Sequence, residues 1–172
     1  MDDSRHLKEI AERNVRLLEL RPERGHLTAV TRARIDVGLR CEISEGDWRL
    51  AADLPGKAGG NDSAPTPGML GRGALASCLA MGIRIWAARM EVPLDSVEVE
   101  VQADFDARGE LGFPGVTAGY QAIRSIVRIT SPAPAARVSE LLERAERHSP
   151  YLDVVARAQA LQRVLELNGV EA

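Results

Sequence analysis

Apolar residues recur at three- and four-residue spacing over residues 4–20, at Leu7, Ile10, Ala11, Val15 and Leu18, with charged residues between them. That period predicts an amphipathic helix. Arg21-Pro22 ends it, because the residue before a proline is pushed out of the helical region. The period then changes to two. Residues 28–34 are β-branched and alternating, Ile35, Val37, Leu39, Cys41 and Ile43 keep one face apolar, and beyond a Glu45-Gly46-Asp47 turn Trp48, Leu50 and Ala52 resume the alternation. Three strands in an antiparallel meander are expected. Residues 55–68, rich in Gly, Pro, Asn and Ser, read as a loop rather than a linker, since neither side could bury a sizeable core alone.

Thr66 as N-cap and Pro67 as first helical residue open a second helix, expected to run to about Met90 and to end near Pro93. Its first half carries Gly68, Gly71, Gly73, Ala74, Ala76, Ser77, Cys78 and Ala80. Each glycine inside a helix costs about 1 kcal/mol relative to alanine, so close packing must compensate. The helix is expected to be central and mostly buried. Residues 96–105 (Val97, Val99, Val101, Ala103) and 122–129 (Ile123, Ser125, Val127, Ile129) alternate as strands with one wet face, joined by a glycine-rich segment at 106–119. Residues 134–147 repeat the helical period at Val138, Leu141, Leu142 and Ala145, Ser149-Pro150 opens a further turn or two, and residues 162–167 are a candidate closing strand. The order implies an α+β fold: antiparallel sheets around a long buried central helix.

At 172 residues the chain has the size of one domain. A net charge of −3 gives no electrostatic footprint for nucleic acid, and 3% aromatics leave no base-stacking platform. Cys41 and Cys78 lie 37 positions apart, which excludes a C-x-x-C pair and a zinc knuckle. The acidic Met1-Asp2-Asp3 start is unlike a signal peptide. The longest run of apolar and small residues, from Gly73 to Ile83, falls short of a membrane span. A cytoplasmic, reducing location with both cysteines as thiols is expected, without membrane or nucleic-acid partners.

No Gly-rich nucleotide loop, H-E-x-x-H or G-x-S-x-G is present. Asp104-Phe105-Asp106 begins like a calcium loop, but Arg108 stands where an oxygen ligand belongs and Gly115 where the bidentate glutamate should fall. His6, His26 and His148 have no paired spacing, so no metal site is expected. His148, Ser149 and Asp153 admit a hydrolase reading, although Ser149 before Pro150 also reads as a helix cap. Cys78 has Gly71, Ala74, Leu75, Met81, Gly82 and Ile85 as helical neighbours. In that setting it is either a core cysteine or, with a cation brought from another element, a nucleophile.

The run Pro65-Thr66-Pro67-Gly68-Met69-Leu70-Gly71-Arg72-Gly73-Ala74-Leu75-Ala76-Ser77-Cys78-Leu79 resembles the segment of OsmC/Ohr-family proteins (osmotically induced and organic hydroperoxide resistance proteins) whose proline-started helix carries the peroxidatic cysteine. Gly38-Leu39-Arg40-Cys41-Glu42-Ile43 and Gly59-Gly60-Asn61-Asp62 resemble that family's strand and loop. Ser149-Pro150 stands where it has a second cysteine followed by proline. The likeness covers about residues 28–167 as a single OsmC-like domain and leaves residues 1–22 as an N-terminal helical extension.

The resemblance implies an intertwined homodimer, with sheets wrapping the long helices and a site at each subunit interface. It implies that Cys78, as thiolate, attacks an organic hydroperoxide to give a sulfenic acid, which the second cysteine would close into a disulfide. An arginine and a glutamate would orient the thiolate. Two positions depart from the pattern: Ser149 replaces the second cysteine, and Gly68 stands where the glutamate would be. Arg24, Arg32, Arg34 and Arg40 are all available as the arginine. The implied activity is an oxidative-stress peroxidase with a one-cysteine cycle, its sulfenate reduced by an external thiol and no cofactor required. Cys41 could serve as partner only with its Cα within about 7 Å of that of Cys78. The alternatives are a non-catalytic relative binding a small apolar ligand, with Met81, Ile85 and Trp86 as candidate lining, and a partner-binding protein using the helix at 4–20.

Overall fold

The computed structural model describes residues 3–171. Helix α1 spans Asp3–Leu20, and a 3-10 turn at Pro22–Gly25 follows it. Strands β1 (Arg32–Arg34), β2 (Cys41–Glu45) and β3 (Trp48–Ala52) form the antiparallel meander, with Ala33 opposite Ile43 and Ile43 opposite Leu50. Its first strands are shorter than the alternation suggested. Residues 28–31 lie outside the ladder, and residues 35–40 are the β1–β2 connection, in which Gly38 takes φ +69°. Alternating side chains define a strand only where a neighbour takes up the backbone groups, and on β1 that pairing is limited to three residues. Gly46, at φ +52°, opens the two-residue turn between β2 and β3 in a conformation that glycine adopts without strain.

Helix α2 spans Pro67–Met90 and begins as expected, with the Thr66 hydroxyl accepting the Met69 N–H at 3.2 Å. Strands β4 (Ser96–Asp104) and β5 (Ala122–Thr130) pair antiparallel along their full length, with Val97 opposite Ile129 and Val99 opposite Val127. The segment between them contains a short helix, α3 (Ala107–Glu110). Helices α4 (Ala135–Arg147) and α5 (Pro150–Ala156) follow. The expected closing strand at 162–167 does not join either sheet. Only Glu166–Leu167 (β6) is extended and paired, and it makes a local hairpin with Val170–Glu171 (β7). Asn168 and Gly169, at φ +54° and +81°, form the turn that folds this segment back on itself.

The core lies along one face of α2. Leu75, Leu79, Ile83 and Ala87 recur every four residues and are all buried. Ile83 and Ala87 cluster with Val92, with Leu141 and Ala145 of α4, and with Val97, Val99, Val127 and Ile129 from the β4–β5 ribbon. Helix α1 packs on α2 and is tied to its end by a 2.5 Å ion pair from Lys8 Nζ to Glu91 Oε1. The expectation of a mostly buried helix is corrected at this point. Met69, Gly73, Ser77, Met81 and Ile85 form an exposed stripe, with Met81 59% accessible. Among the described residues the β4–β5 ribbon and helices α1, α4 and α5 pack on α2, and these leave that face open. Among the described residues no helix is long and apolar enough to cross a membrane.

Candidate active site

Packing of α4 on α2 places the chain that follows α4 beside Cys78. Leu141 and Ala145 bury against α2, and beyond the end of α4 the His148 ring lies 4.8 Å from that of Trp86, centroid to centroid. The Arg89 guanidinium covers the Trp86 ring at 3.9 Å. Ser149, the next residue, is 5% exposed and caps α5, its hydroxyl accepting the Leu152 N–H at 3.4 Å. The same hydroxyl stands 3.6 Å from Cys78 Sγ, and Cys78 is half-buried. A hydroxyl that accepts through a lone pair keeps its proton, so Ser149 can donate to the sulfur. Two residues 71 apart in sequence are thus brought to one point.

The other residues considered above are distributed differently. Arg34 pairs with Asp36, and Arg40 bonds Glu42 and Ser63. Arg24 sits in the 3-10 turn, and Arg32 lies on β1 in a shallow surface cleft. Among the described residues none of the four bonds to Cys78. Cys41 is a free thiol facing a largely apolar cavity of about 500 Å³ that Leu39, Ile43, Pro67 and Leu70 also line. The hydrolase arrangement does not form: His148 Nδ1 lies 2.8 Å from the Arg144 carbonyl, and Asp153 is paired with Arg157. Asp104 pairs with Arg124 and Asp106 with Arg108, so both calcium-loop carboxylates are already engaged. Met81 and Ile85 lie on the open stripe, whereas the Trp86 ring contacts that of His148.

Sequence reasoning missed Asp53, which directly follows β3. It is 1% exposed, and its carboxylate accepts from the Ser63 hydroxyl at 2.6 Å and from the backbone N–H groups of Leu54, Asn61 and Ser63. These bonds fold residues 53–63 into a closed loop that leads into α2. Within it Gly60 packs where a Cβ would overlap the Leu54 carbonyl at 1.9 Å. The available signal was one acid ending an apolar alternation before an Asn-, Ser- and Gly-rich stretch, since Asp side chains satisfy local backbone donors. The Ser63 hydroxyl, and then the three backbone donors, hold the Asp53 carboxyl at about 2 against the opposing effect of burial.

A carboxyl lowered in the fold stabilises it above the unfolded value near 3.9, and that contribution is lost as pH falls through the folded value. Stability of the wild type is therefore expected to drop between about pH 4 and pH 2 more steeply than that of Asp53→Asn. Urea unfolding midpoints across that range measure the difference. Parallel curves would show that Asp53 is not linked to folding.

The model for the OsmC-like protein family matches residues 59–162 of the chain. The protein belongs to that family. No curated protein matches the chain. Among solved structures, an OsmC-like protein from Mycoplasma pneumoniae is similar with a TM-score of 0.65 at 13% identity, over 76% of this chain and 88% of its own. An organic hydroperoxide resistance protein from Legionella pneumophila has a TM-score of 0.57 at 21% identity, over 75% and 89%. An OsmC-like hydroperoxide resistance protein from Jannaschia sp. has a TM-score of 0.53 at 21% identity, over 84% and 96%. At these identities the likeness establishes the OsmC fold. The family model includes Cys78 and Ser149 and leaves α1 outside it.

Proposed function

We propose that this OsmC-like protein is a one-cysteine thiol peroxidase that reduces organic hydroperoxides, with Cys78 as the attacking residue. The observation that carries the reading is the 3.6 Å approach of Ser149 to Cys78, which puts a hydroxyl where the family resemblance has a second thiol. In the proposed cycle the Cys78 thiolate attacks the terminal peroxide oxygen, the O–O bond breaks, and the alkoxide leaves as the alcohol on taking up a proton. The sulfur retains one oxygen as a sulfenic acid. Ser149 cannot close a disulfide, so one external thiol displaces water to form a mixed disulfide, and a second thiol releases the reduced Cys78. The exposed Met69–Ile85 stripe of α2 supports a homodimer in which a second copy covers the site. A cytoplasmic location would supply the reducing thiols.

Consumption of cumene hydroperoxide with dithiothreitol tests the reading. Turnover by wild type and Cys41→Ser is expected to fall at least a hundredfold in Cys78→Ser, to the level of the buffer, because the bond-breaking step requires the sulfur. A second reading, a non-catalytic protein binding a small apolar ligand, is favoured by the apolar cavity beside Cys41 and Leu70. It predicts equal, buffer-level rates for all three proteins, and that result would replace the first reading.

A further inference from the structure

A second cavity, of about 710 Å³, lies between the loop leading into α2 and the β4–β5 connection, and it includes neither Cys78 nor Ser149. That volume is in the range of small-molecule sites. Its walls are mainly apolar, with Leu54, Pro67 and Phe105 among them, and Arg72 and Tyr120 also line it. Arg72 Nη1 donates to the Tyr120 hydroxyl at 3.1 Å, and that hydroxyl donates to the Gly68 carbonyl at 3.4 Å. A guanidinium has five N–H donors. The tyrosine takes one, and among the described residues no carboxylate pairs with half-buried Arg72.

Gly68 lies against this pair: a Cβ there would stand 3.3 Å from Arg72 Nη1 and 3.5 Å from the Tyr120 hydroxyl, so a side chain at this position would press on both. Lys57 adds a second cation to the lining and Glu110 one anion, which leaves it net positive. We propose that this cavity binds an apolar organic acid, its carboxylate on the unspent donors of Arg72 and its hydrocarbon against Phe105 and Pro67. A carboxylate matches the planar donor fork of arginine, while a neutral molecule of the same shape leaves that cation without a counter-charge. Binding of this kind requires no thiol chemistry, so it stands apart from the peroxidase reading.

Calorimetric titration of the full chain with octanoate and with 1-octanol tests the proposal. One octanoate per chain is expected, bound at least tenfold more tightly than octanol. Arg72→Gln is expected to weaken octanoate by about ten- to a hundredfold, the worth of hydrogen bonds to a charged group. Gly68→Glu, which sets a competing carboxylate against the guanidinium without removing it, is expected to do the same. Cys41→Ser, in the other apolar cavity, should leave the affinity unchanged. Octanol binding as tightly as octanoate, octanoate affinity that survives both substitutions, or no octanoate binding to wild type would each overturn the inference.

Discussion

Ser149→Cys is expected to convert Cys78 into half of a reversible disulfide. The wild-type oxygen is 3.6 Å from Cys78 Sγ, and a bonded sulfur pair is about 2.05 Å apart, so closure must bring the two side-chain atoms about 1.5 Å closer. Treatment with one equivalent of hydroperoxide should oxidise Cys78 to the sulfenic acid. The introduced thiol would then attack that sulfur, expel water and form the S–S bond, leaving a protein two hydrogens lighter than its reduced form. The bridge would span 71 residues of sequence. On the chain-entropy model a loop of that length restricts the unfolded state by roughly 4 kcal/mol, less any native strain. Urea unfolding of the oxidised variant, compared with the same protein in dithiothreitol, reads that gain directly, and intact mass reads the bond. Persistence of two free thiols after oxidation, with the sulfenic acid trapped on Cys78 by dimedone, would mean that position 149 does not face the sulfur. In the expected case the wild-type serine is what keeps Cys78 from closing an internal bond, as the proposed one-cysteine cycle requires.

Features governed by neighbours in the sequence were legible in it. Thr66 and Pro67 start α2 where capping chemistry places them, Ser149 and Pro150 start α5 in the same way, and the alternating valines of β4 find Ile129 and Val127 opposite them. The misreadings share a cause in long-range pairing. Ile35, Val37 and Leu39 alternate as well as β4 does, but no strand lies alongside to accept their backbone groups, so they become a connection with all three side chains exposed. The apolar character of α2 was read as burial, but its two faces have different fates: Leu79 and Ile83 are covered by the chain itself, while Met81 and Ile85 are not.

The candidate site was legible only through resemblance to a family. No spacing rule connects Cys78 to Ser149, since their contact depends on how α4 lies across α2. Arg72 was invisible for a related reason: in sequence it is an ordinary charged residue, and its significance comes from the cavity that the fold arranges around it. Asp53 was missed although its donors are local, at Leu54, Asn61 and Ser63. The glycine at position 68 illustrates the same point as Arg72: in sequence it is a departure from a pattern, and in the fold it lies against the Arg72–Tyr120 pair that lines the cavity.

Leu141→Ala is expected to be the most damaging of the single core truncations, because Leu141 joins stability to the geometry of the site. Its side chain is 0% exposed and lies in the cluster with Ile83, Ala87, Val92 and Ala145, where α4 meets α2. Truncating a buried leucine loses the transfer energy of its methyl groups and leaves a cavity, about 3 kcal/mol in a well-packed site. Leu20→Ala, at a side chain 82% exposed, should stay within about 0.5 kcal/mol of wild type. Urea unfolding at fixed protein concentration compares the two, and a loss below about 1 kcal/mol for Leu141→Ala would mean that the α2–α4 contact is not a main support of the fold. The effect should extend to the thiol. Residues 142–148 run directly from Leu141 to Ser149, so loosening α4 widens the distribution of distances between position 149 and Cys78. In the Ser149→Cys background, adding Leu141→Ala should therefore slow disulfide closure at least tenfold under conditions where the variant remains folded by circular dichroism. Unchanged closure rates would show that the corner at His148 and Ser149 is held in place by its own contacts, the Trp86–His148 ring contact foremost, rather than by the helix that leads to it.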